Sequence, residues 1–235
     1  MLSEPQKAIG QMFENIARTY DRVNRLVSLG LDARWRKLLV ERLPPEGSLE
    51  VLDAATGTAD LLIAMCKLRP NIKKAVGVDI SENMLLKADE KIRRLELSSR
   101  IALAKADVCD LPFPALSFDV VSIAFGIRNV VEVDRALGQF ARVLKEKGSL
   151  LILEFSLPPN RVIRHLYLWY FRHILPLIGG WLSKDYNAYR YLNRSVEAFP
   201  SQHDFQQIIL RNGFNSVLST SLSFGVATIY CARKI

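Results

Sequence analysis

The sequence predicts a Rossmann-like α/β fold, and three observations support it. Two apolar runs, residues 49–52 and 75–78, each end in an acidic residue, Asp53 and Asp79. A small-residue turn and a helical pattern lie between them, as in a βαβ unit. Strand-like and helix-like patterns then alternate to about residue 156, which indicates a parallel sheet whose strands are joined by helices.

The individual elements follow in a regular order. An amphipathic helix is predicted over residues 7–26, with Ile9, Phe13, Ile16 and Tyr20 on one face. Further helices are predicted over residues 58–69, after the capping residue Ser81, over 132–145 with an end near Gly148, and from Ser201 to about 212. Strands are predicted at residues 49–52, 74–79, 101–106, 118–125, 149–155, 213–221 and 223–233, the last two as a hairpin.

The turn after the first strand disfavours a cofactor that carries phosphate. Gly57 stands alone where dinucleotide sites have G-x-G-x-x-G, and no P-loop lysine follows. Asp53 would repel phosphate but would suit an ammonium group, and Asp79 can accept from both hydroxyls of a ribose. S-adenosylmethionine (SAM) has an ammonium group, a ribose and an adenine without phosphate, so SAM is the predicted cofactor. The alternative is an ordinary tight turn in which Asp53 caps a helix.

Length and composition favour a single α/β domain. The 235 residues, 49% of them hydrophobic, allow one α/β domain with additions. Five parallel strands and a terminal antiparallel hairpin fit the seven-stranded sheet of class I SAM-dependent methyltransferases. The predicted parts are a helical arm or lid, a SAM-binding core, a substrate or membrane insert, and a helix with the hairpin, at residues 1–45, 46–156, 157–200 and 201–235.

Charge and cysteine content indicate which binding partners and which cellular compartment to expect. The net charge of +8 suits nucleic acid or anionic lipid, but there is no run of five basic residues and no RNP-type motif, so no nucleic-acid partner is expected. Cys66, Cys109 and Cys231 are unpatterned, which favours a reducing compartment and no metal site. Since the N-terminus has no apolar signal core, a cytoplasmic location is expected.

The insert after the fifth strand is aromatic and basic. Residues 162–182 are apolar, but Arg, His, Pro and Gly residues interrupt them, so a membrane span is not expected. An interfacial element at the inner face of the membrane is predicted instead, with Tyr167, Trp169, Tyr170 and Trp181 at headgroup depth. The alternative is a subunit interface, as in a homodimer, or a lid packed on the core.

Four separated motifs occur in order along the chain. They are Tyr-Asp-Arg-Val-Asn at 20–24 with Trp35 and Arg36, Phe-Gly-Ile-Arg-Asn-Val at 125–130, the stretch 142–156, and Tyr189, Tyr191 and Phe199-Pro200. On these motifs nearly the whole chain resembles the C-methyltransferases of quinone biosynthesis. The resemblance implies SAM-dependent C-methylation of a lipophilic quinol, foremost demethylmenaquinol. A polyprenyl methoxybenzoquinol, both quinols, or another small acceptor stay open as alternatives.

The resemblance also implies cofactor contacts. Thr58 and its neighbouring amides are expected to bind the methionine carboxylate, and Asp79 the ribose. Asp107, with Val108, is expected at the adenine amino group. The predicted cofactor set is Asp53, Gly57, Thr58, Asp79, Ile80, Asp107 and Val108. Ala59 stands where many methyltransferases have glycine.

The chemistry of ring methylation predicts the catalytic residues. A reduced ring that loses a phenolic proton becomes electron-rich, so the enzyme needs to position two reactants and handle protons, without a metal. We predict that Arg128 stabilises the phenolate, directly or through a water, and that Asn129 orients the ring oxygen. In the alternative, Arg128 pairs with a helix C-terminus and Asn129 caps a helix. Glu154 is expected either in the cleft or in an ion pair with a nearby arginine.

Two tyrosines are predicted near the substrate. Tyr20, with Asp21, is expected in a lid over the cofactor. Tyr189 lies in a tyrosine-rich segment that suits a planar quinone ring. For both, simple packing is the alternative.

Overall fold

A seven-stranded sheet forms the centre of the protein. The computed structural model describes residues 4–17, 21, 24–25, 28–174 and 186–235, without the side chains of residues 16, 171, 174, 186–190 and 192. The strands are β1 (Leu49–Ala54), β2 (Ile72–Asp79), β3 (Ile101–Lys105), β4 (Phe118–Ala124), β5 (Leu144–Phe155), β6 (Phe214–Leu222) and β7 (Ala227–Lys234). Their order across the sheet is β3-β2-β1-β4-β5-β7-β6.

The strand directions confirm the predicted fold class. β1 to β5 pair in parallel, whereas β7 runs antiparallel to both β5 and β6. The helices are α1 (Glu4–Ile16), α2 (Asp32–Val40), α3 (Asp60–Leu68), α4 (Glu82–Arg94), α5 (Val133–Val143), α6 (Arg161–Trp169), α7 (Tyr186–Ala198) and α8 (Gln202–Leu210). Short turns of 3-10 helix at Ile127–Asn129 and Ser223–Gly225 and of π-helix at Tyr170–Ile174 complete the described elements.

Both predicted helix caps are confirmed. The Ser81 hydroxyl accepts a hydrogen bond from the Met84 amide at the start of α4. The Ser201 hydroxyl accepts one from the Asp204 amide at the start of α8. Because each hydroxyl satisfies an amide that has no partner inside its helix, the two serines fix where these helices begin.

The predicted first helix is interrupted after Ile16, because Ala17 forms a turn, and Asp21, Asn24 and Arg25 are helical again. A helix over residues 7–26 was expected, but α1 begins at Glu4 and ends at Ile16. The structure does not describe residues 18–20, 22–23 and 26–27. The predicted position of Tyr20 on this helix face therefore lies outside the described residues.

For the helix predicted over residues 132–145, the expected end near Gly148 was wrong. α5 ends at Val143, and β5 begins at once at Leu144. The register of β4 against β5 shifts between Phe118 and Val120. A Cβ at Gly148 would lie 2.7 Å from the Lys145 carbonyl oxygen, so glycine is needed for a close backbone approach within an irregular strand.

The sheet is buried on both faces, as the continuous apolar strands predict. On one face Val51 of β1 belongs to a buried cluster with Trp35 of α2. On the other face its neighbour Leu52 belongs to a cluster with Phe140 of α5. Since parallel strands end at one edge, the residues that follow β1, β2, β3 and β4 meet there, which is where open α/β sheets bind their ligands.

Candidate cofactor and active site

A cavity lies at the carboxyl edge of the first four strands. Its walls come from the segments after these strands and from Gln6, Ile9 and Phe13 of α1. Of the predicted site residues, the cavity is lined by Gly57, Asp79, Ile80, Asp107, Val108 and Asn129. The fold thus brings together residues that are far apart in sequence.

The loop between β1 and α3 has a strained backbone. Ala55, Gly57 and Ala59 have φ angles of 49°, 55° and 63°, in the left-handed region. Glycine adopts this region at little cost, whereas alanine is strained there. The Thr56 amide donates to the carbonyl of Val78 at 2.9 Å, which helps to hold the loop against β2. Ala59 is accommodated there although its side chain is fully buried.

Asp79 is anchored at the end of β2. Its Oδ2 accepts from the Gly57 amide at 2.8 Å and its Oδ1 from the Ser81 amide at 2.9 Å. Burial raises the pKa of this carboxyl, and hydrogen bonds from the backbone of Ser81, Gly57 and Ile80 oppose that shift. A carboxylate has about four lone-pair sites, so Asp79 keeps capacity to accept from a ligand in the cavity that it lines. The predicted ribose contact fits this geometry and stays a prediction.

Asp53 is buried and does not appear among the cavity-lining residues. Its oxygens accept from the Thr56 hydroxyl at 2.7 Å and the Ser122 hydroxyl at 2.6 Å. Desolvation raises the pKa of Asp53 to about 6, against the lowering effect of these two hydrogen bonds. The charge of Asp53 could therefore attract an ammonium group in the cavity only from its buried position under the loop. This contact stays a prediction. Thr56 and Ser122 were not predicted, because ordinary Thr and Ser positions carry no pattern.

The raised pKa predicts a pH-dependent affinity for SAM. Only the ionised carboxyl attracts an ammonium group, so affinity should rise as pH rises through about 6. With the pKa of Asp53 near 6, lowering the pH from 7.5 to 5.5 should weaken SAM binding roughly fourfold. Asp53→Asn should flatten this profile, and any remaining slope is assigned to Asp79. An unchanged profile in calorimetric titrations of the Asn variant would refute the role of Asp53.

The stability of the ligand-free protein should fall as pH rises, whereas the affinity for SAM should rise. Because the pKa of Asp53 is raised from 3.8 to about 6, the protonated form stabilises the fold. That contribution is complete below pH 3.8 and is lost as pH rises through 6. Asp53→Asn should lack this loss, which urea titrations at several pH values would show.

Thr58 contacts the helical arm. Its hydroxyl donates to Asp21 at 2.6 Å and accepts from the Lys91 ammonium at 2.9 Å. Lys91 also pairs with Asp21 at 2.6 Å and with Asp60 at 2.7 Å. The Thr58 side chain thus links Asp21 to α3 and α4. Its predicted contact with the methionine carboxylate would have to use the backbone of the loop.

α1 lines the cavity and is held in place by hydrogen bonds that the sequence did not indicate. The Gln6 side-chain oxygen accepts from the Val131 amide at 3.1 Å. The Glu14 carboxylate accepts from the amides of Glu82 and Asn83, at 2.6 and 3.0 Å, at the N-terminus of α4. The apolar face of α1 was visible in the sequence, but these partners lie in distant segments.

Arg128 and Asn129 lie in the turn that follows β4. The Arg128 guanidinium pairs with Glu154 at 2.7 Å, and both side chains are almost fully buried, at 5% and 0% exposure. The second carboxylate oxygen of Glu154 accepts from the Arg128 amide at 3.1 Å. Glu154 therefore forms the predicted ion pair with an arginine. The N-cap of α5 is Glu132, so the alternative in which Asn129 caps that helix is wrong.

Two buried polar atoms in this turn lack a hydrogen-bond partner among the described residues. They are Nε of Arg128 and the side-chain oxygen of Asn129. The Asn129 amide nitrogen donates weakly, at 3.4 Å, to the Phe125 carbonyl, which also accepts from Arg128. Leaving such atoms unpaired costs free energy, so both are suited to bind a ligand. The catalytic roles themselves stay predictions.

The two tyrosines assigned to the substrate cannot be placed. Tyr20 lies outside the described residues, and for Tyr189 only the backbone, within α7, is described.

Comparison with known proteins identifies the family. The sequence model of the ubiE/COQ5 methyltransferase family matches residues 1–234. The chain belongs to this family. It is 46% identical over 219 residues to the ubiquinone/menaquinone biosynthesis C-methyltransferase UbiE of Syntrophotalea carbinolica, covering 93% of this chain and 91% of that protein. It is 39% identical over 227 residues to the demethylmenaquinone methyltransferase of Bacteroides fragilis, covering 96% and 92%.

Solved structures show the same fold. A SAM-dependent methyltransferase of Thermotoga maritima matches with a TM-score of 0.67 at 19% identity, covering 96% of this chain and 99% of that one. Membership of the ubiE/COQ5 family confirms the prediction of a SAM-dependent C-methyltransferase. SAM is its cofactor.

The described residues fit this cofactor. Asp79 offers a buried carboxylate for a diol, Ile80, Met84 and Val108 offer an apolar slot for a base, and Asn129 offers an unpaired acceptor. Among the described residues no group of His, Cys, Asp or Glu has the geometry of a metal site.

Proposed function

We propose that this enzyme methylates a ring carbon of demethylmenaquinol, the last step of menaquinone biosynthesis. Relatives named for menaquinone and ubiquinone biosynthesis support a quinone substrate. The observation that carries the proposal is the buried guanidinium of Arg128, whose neighbour Asn129 lines the cofactor cavity. Its Nε has no partner within the described chain, and it can meet a phenolic oxygen. The alternative acceptor, a polyprenyl methoxybenzoquinol, fits the names of the UbiE relatives equally well.

The residues of the turn have distinct tasks in this proposal. SAM supplies an activated methyl group, so the protein must align the ring carbon and stabilise charge on the ring oxygen. Arg128 keeps Nε for a phenolate, while Nη1 is held by Glu154 and the Phe125 carbonyl. Its guanidinium also lies over the Phe155 ring, 5.3 Å from the centroid, which fixes its plane. A preorganised donor in a buried site stabilises developing charge far better than water does.

Methyl transfer from labelled SAM tests the proposal. The acceptors are chemically reduced demethylmenaquinone, the oxidised quinone and a reduced demethyl-benzoquinol, each in detergent. Label on the reduced naphthoquinol with none on the oxidised form is the expected result. Label on both quinols would extend the activity to both pathways. SAM binding without transfer to any of the three would refute the proposal.

We also infer that α6 places the enzyme against an anionic membrane surface. Val162, Leu166 and Trp169 follow at helical spacing and are 68%, 61% and 53% exposed, so they form one apolar strip. Arg161, Arg164 and His165 are exposed beside it. No acidic residue occurs in the sequence from Phe155 to Lys184. An apolar strip flanked by basic side chains suits the headgroup region of anionic lipid.

Two details limit the membrane proposal to α6. Tyr167 and Tyr170, expected at headgroup depth, pack against the hydrophobic core, so that expectation was wrong. Trp181 lies outside the described residues. No described helix is long and apolar enough to span a bilayer.

Charge placed on the apolar strip should weaken membrane binding. The double variant Leu166→Glu/Trp169→Glu should lower the partition coefficient onto phosphatidylglycerol vesicles at least about tenfold, because two apolar side chains leave the interface and two repelling charges enter. Leu218→Glu is the matched control, since Leu218 is 74% exposed on the edge strand β6. Equal loss in the control, or no loss in the double variant, would refute the assignment. A dimer seen by gel filtration that dissociates in the double variant would favour a subunit interface instead.

A further inference from the structure

The turn that carries Asn129 into the cofactor cavity carries Arg128 into a second recess. This recess is an open groove. α7 contributes one helix face to it, with Tyr191, Ser195 and Ala198 at spacings of four and three residues. The other wall is α8, through Phe205 and Ile208, and the segment between the helices adds Phe199 and Pro200.

The lining of this groove suits a long apolar ligand. Apart from Ser195, Arg128 and Arg194, its lining side chains are aliphatic or aromatic, and no acidic residue is among those that line it. Arg128 lies nearly buried and is neutralised by Glu154, whereas Arg194 is exposed. A compact anion at Arg128 would have to compete with Glu154, which already pairs with this guanidinium. The groove therefore offers apolar contact along most of its length.

We propose that this groove binds the isoprenoid tail of the quinol, an inference that rests on the proposed function. Adjacent residues of one turn line the groove and the cofactor cavity, so a ring at Arg128 would direct its tail into the groove. From Tyr191 to Ala198 helix α7 rises about 10 Å, which accommodates the first isoprene units of an extended chain. Burial of methyl and methylene groups there supplies affinity that the ring alone lacks.

The groove is also placed to lead the tail toward the membrane surface. Glu197, next to Ala198, forms an ion pair with Arg172 at 3.1 Å. Arg172 belongs to the π-helical turn that directly follows α6. One end of the groove thus adjoins the segment that carries the exposed apolar strip, while the other end adjoins the active-site turn.

A single exposed position permits a test that spares the core. Ala198 is exposed on the groove face of α7, so Ala198→Trp should fill the groove from outside without displacing buried residues. Ala115→Trp is the matched control, an exposed alanine in the loop before β4. Thermal unfolding of both variants should match that of the parent enzyme. Ala198→Glu, which places a charge in the groove, serves as the second variant.

Three probes separate the tail from the ring. They are farnesol, which has a tail and no quinol ring, reduced demethylmenaquinone with a long tail, and 1,4-naphthoquinol without a tail. Ala198→Trp should abolish calorimetric binding of farnesol. It should lower kcat/KM for the long-tailed quinol at least about tenfold, since losing a few buried methylene groups costs that much. Turnover of the tailless quinol should be unchanged.

The outcomes distinguish this inference from the proposed function. If the parent enzyme binds farnesol but methylates neither quinol, the groove stands and the proposed activity fails. If both quinols are methylated and Ala198→Trp and Ala198→Glu change neither farnesol binding nor the preference for the tail, the groove assignment is overturned. Equal loss on both quinols would also overturn it, because the groove would then be acting on the ring site.

Discussion

Replacing Arg128 by methionine should lower kcat at least about 100-fold, as removal of a preorganised donor to a developing oxyanion does in other enzymes. SAM affinity should change little, because Arg128 is not among the residues that line the cofactor cavity. Single-turnover methyl transfer and calorimetric titration with SAM measure the two effects separately. Full turnover with unchanged SAM affinity would refute the catalytic role.

The same substitution should also destabilise the fold, which requires a control. Glu154 is fully buried, and without the guanidinium its charge would be left without a partner cation. Breaking a buried pair in this way costs roughly 3–5 kcal/mol, whereas replacing both partners is often close to neutral. The double variant Arg128→Met/Glu154→Gln should therefore recover most of the lost unfolding free energy. Its glutamine still offers an oxygen to the Arg128 or Phe155 amide that Glu154 now binds.

The double variant distinguishes a catalytic role of Arg128 from a purely structural one. If Arg128 acts on the substrate, the stable double variant should stay as inactive as the single one. If Arg128 serves only to neutralise Glu154, restoring stability should restore turnover to within a few-fold of the parent. Glu154→Gln alone should keep the guanidinium in place but loosen its orientation, which predicts a smaller loss of kcat than Arg128→Met.

The sheet and several residues that line the cofactor cavity could be predicted from local sequence patterns. Acids that end apolar runs, such as Asp79, can be recognised because parallel strands are buried and their carboxyl ends share one edge. The serine caps were equally local, since a cap and the amide that it satisfies are a few residues apart. These features depend on spacing along the chain, which a single sequence displays.

The remainder depends on contacts that only the fold creates. The partner of Arg128 is Glu154, which becomes a neighbour because β4 pairs with β5. Gln6 meets the amide of Val131 across the cavity, and no spacing rule connects them. Gly148 was misplaced because glycine marks both helix ends and irregular strands, and its neighbours decide which applies.

The helix α7 was missed for a different reason. Residues 186–198 are rich in tyrosine and asparagine, which are mediocre helix formers, so the sequence favours a loop there. Its face at Tyr191, Ser195 and Ala198 lines the apolar groove beside α8. Tertiary packing of one face outweighs weak intrinsic propensity, so the groove could not be foreseen from the sequence.

Replacing Asp79 by asparagine should raise the dissociation constant for SAM about 100-fold. If Asp79 binds the ribose as proposed, two hydrogen bonds from its hydroxyls to the carboxylate are lost or weakened, and hydrogen bonds to charged groups contribute about 1.5–3 kcal/mol each. Calorimetric titration at pH 7.5 measures the change. Asp204→Asn is the matched control, because Asp204 is exposed at the start of α8 and lines neither the cofactor cavity nor the pocket beside it.

A structural contribution of Asp79 must be separated from the ribose contact. Its two oxygens hold the amides of Gly57 and Ser81, and asparagine can satisfy only one of them through its single acceptor oxygen. Part of any loss in affinity will therefore come from a disturbed loop. A loss in melting temperature that is equal with and without ligand would reflect this part.

A cycle that changes both protein and ligand isolates the contact itself. S-adenosylhomocysteine and its 2′,3′-dideoxy analogue are titrated into the parent enzyme and into Asp79→Asn. If Asp79 binds the diol, the parent should prefer the intact ribose strongly and the variant should have lost most of that preference, since the two changes remove one shared interaction. If the loop alone is disturbed, both ligands should weaken by the same factor and the preference should survive. The second result would leave Asp79 as an anchor for the amides of Gly57 and Ser81 and would move the ribose to another donor or acceptor in the cavity.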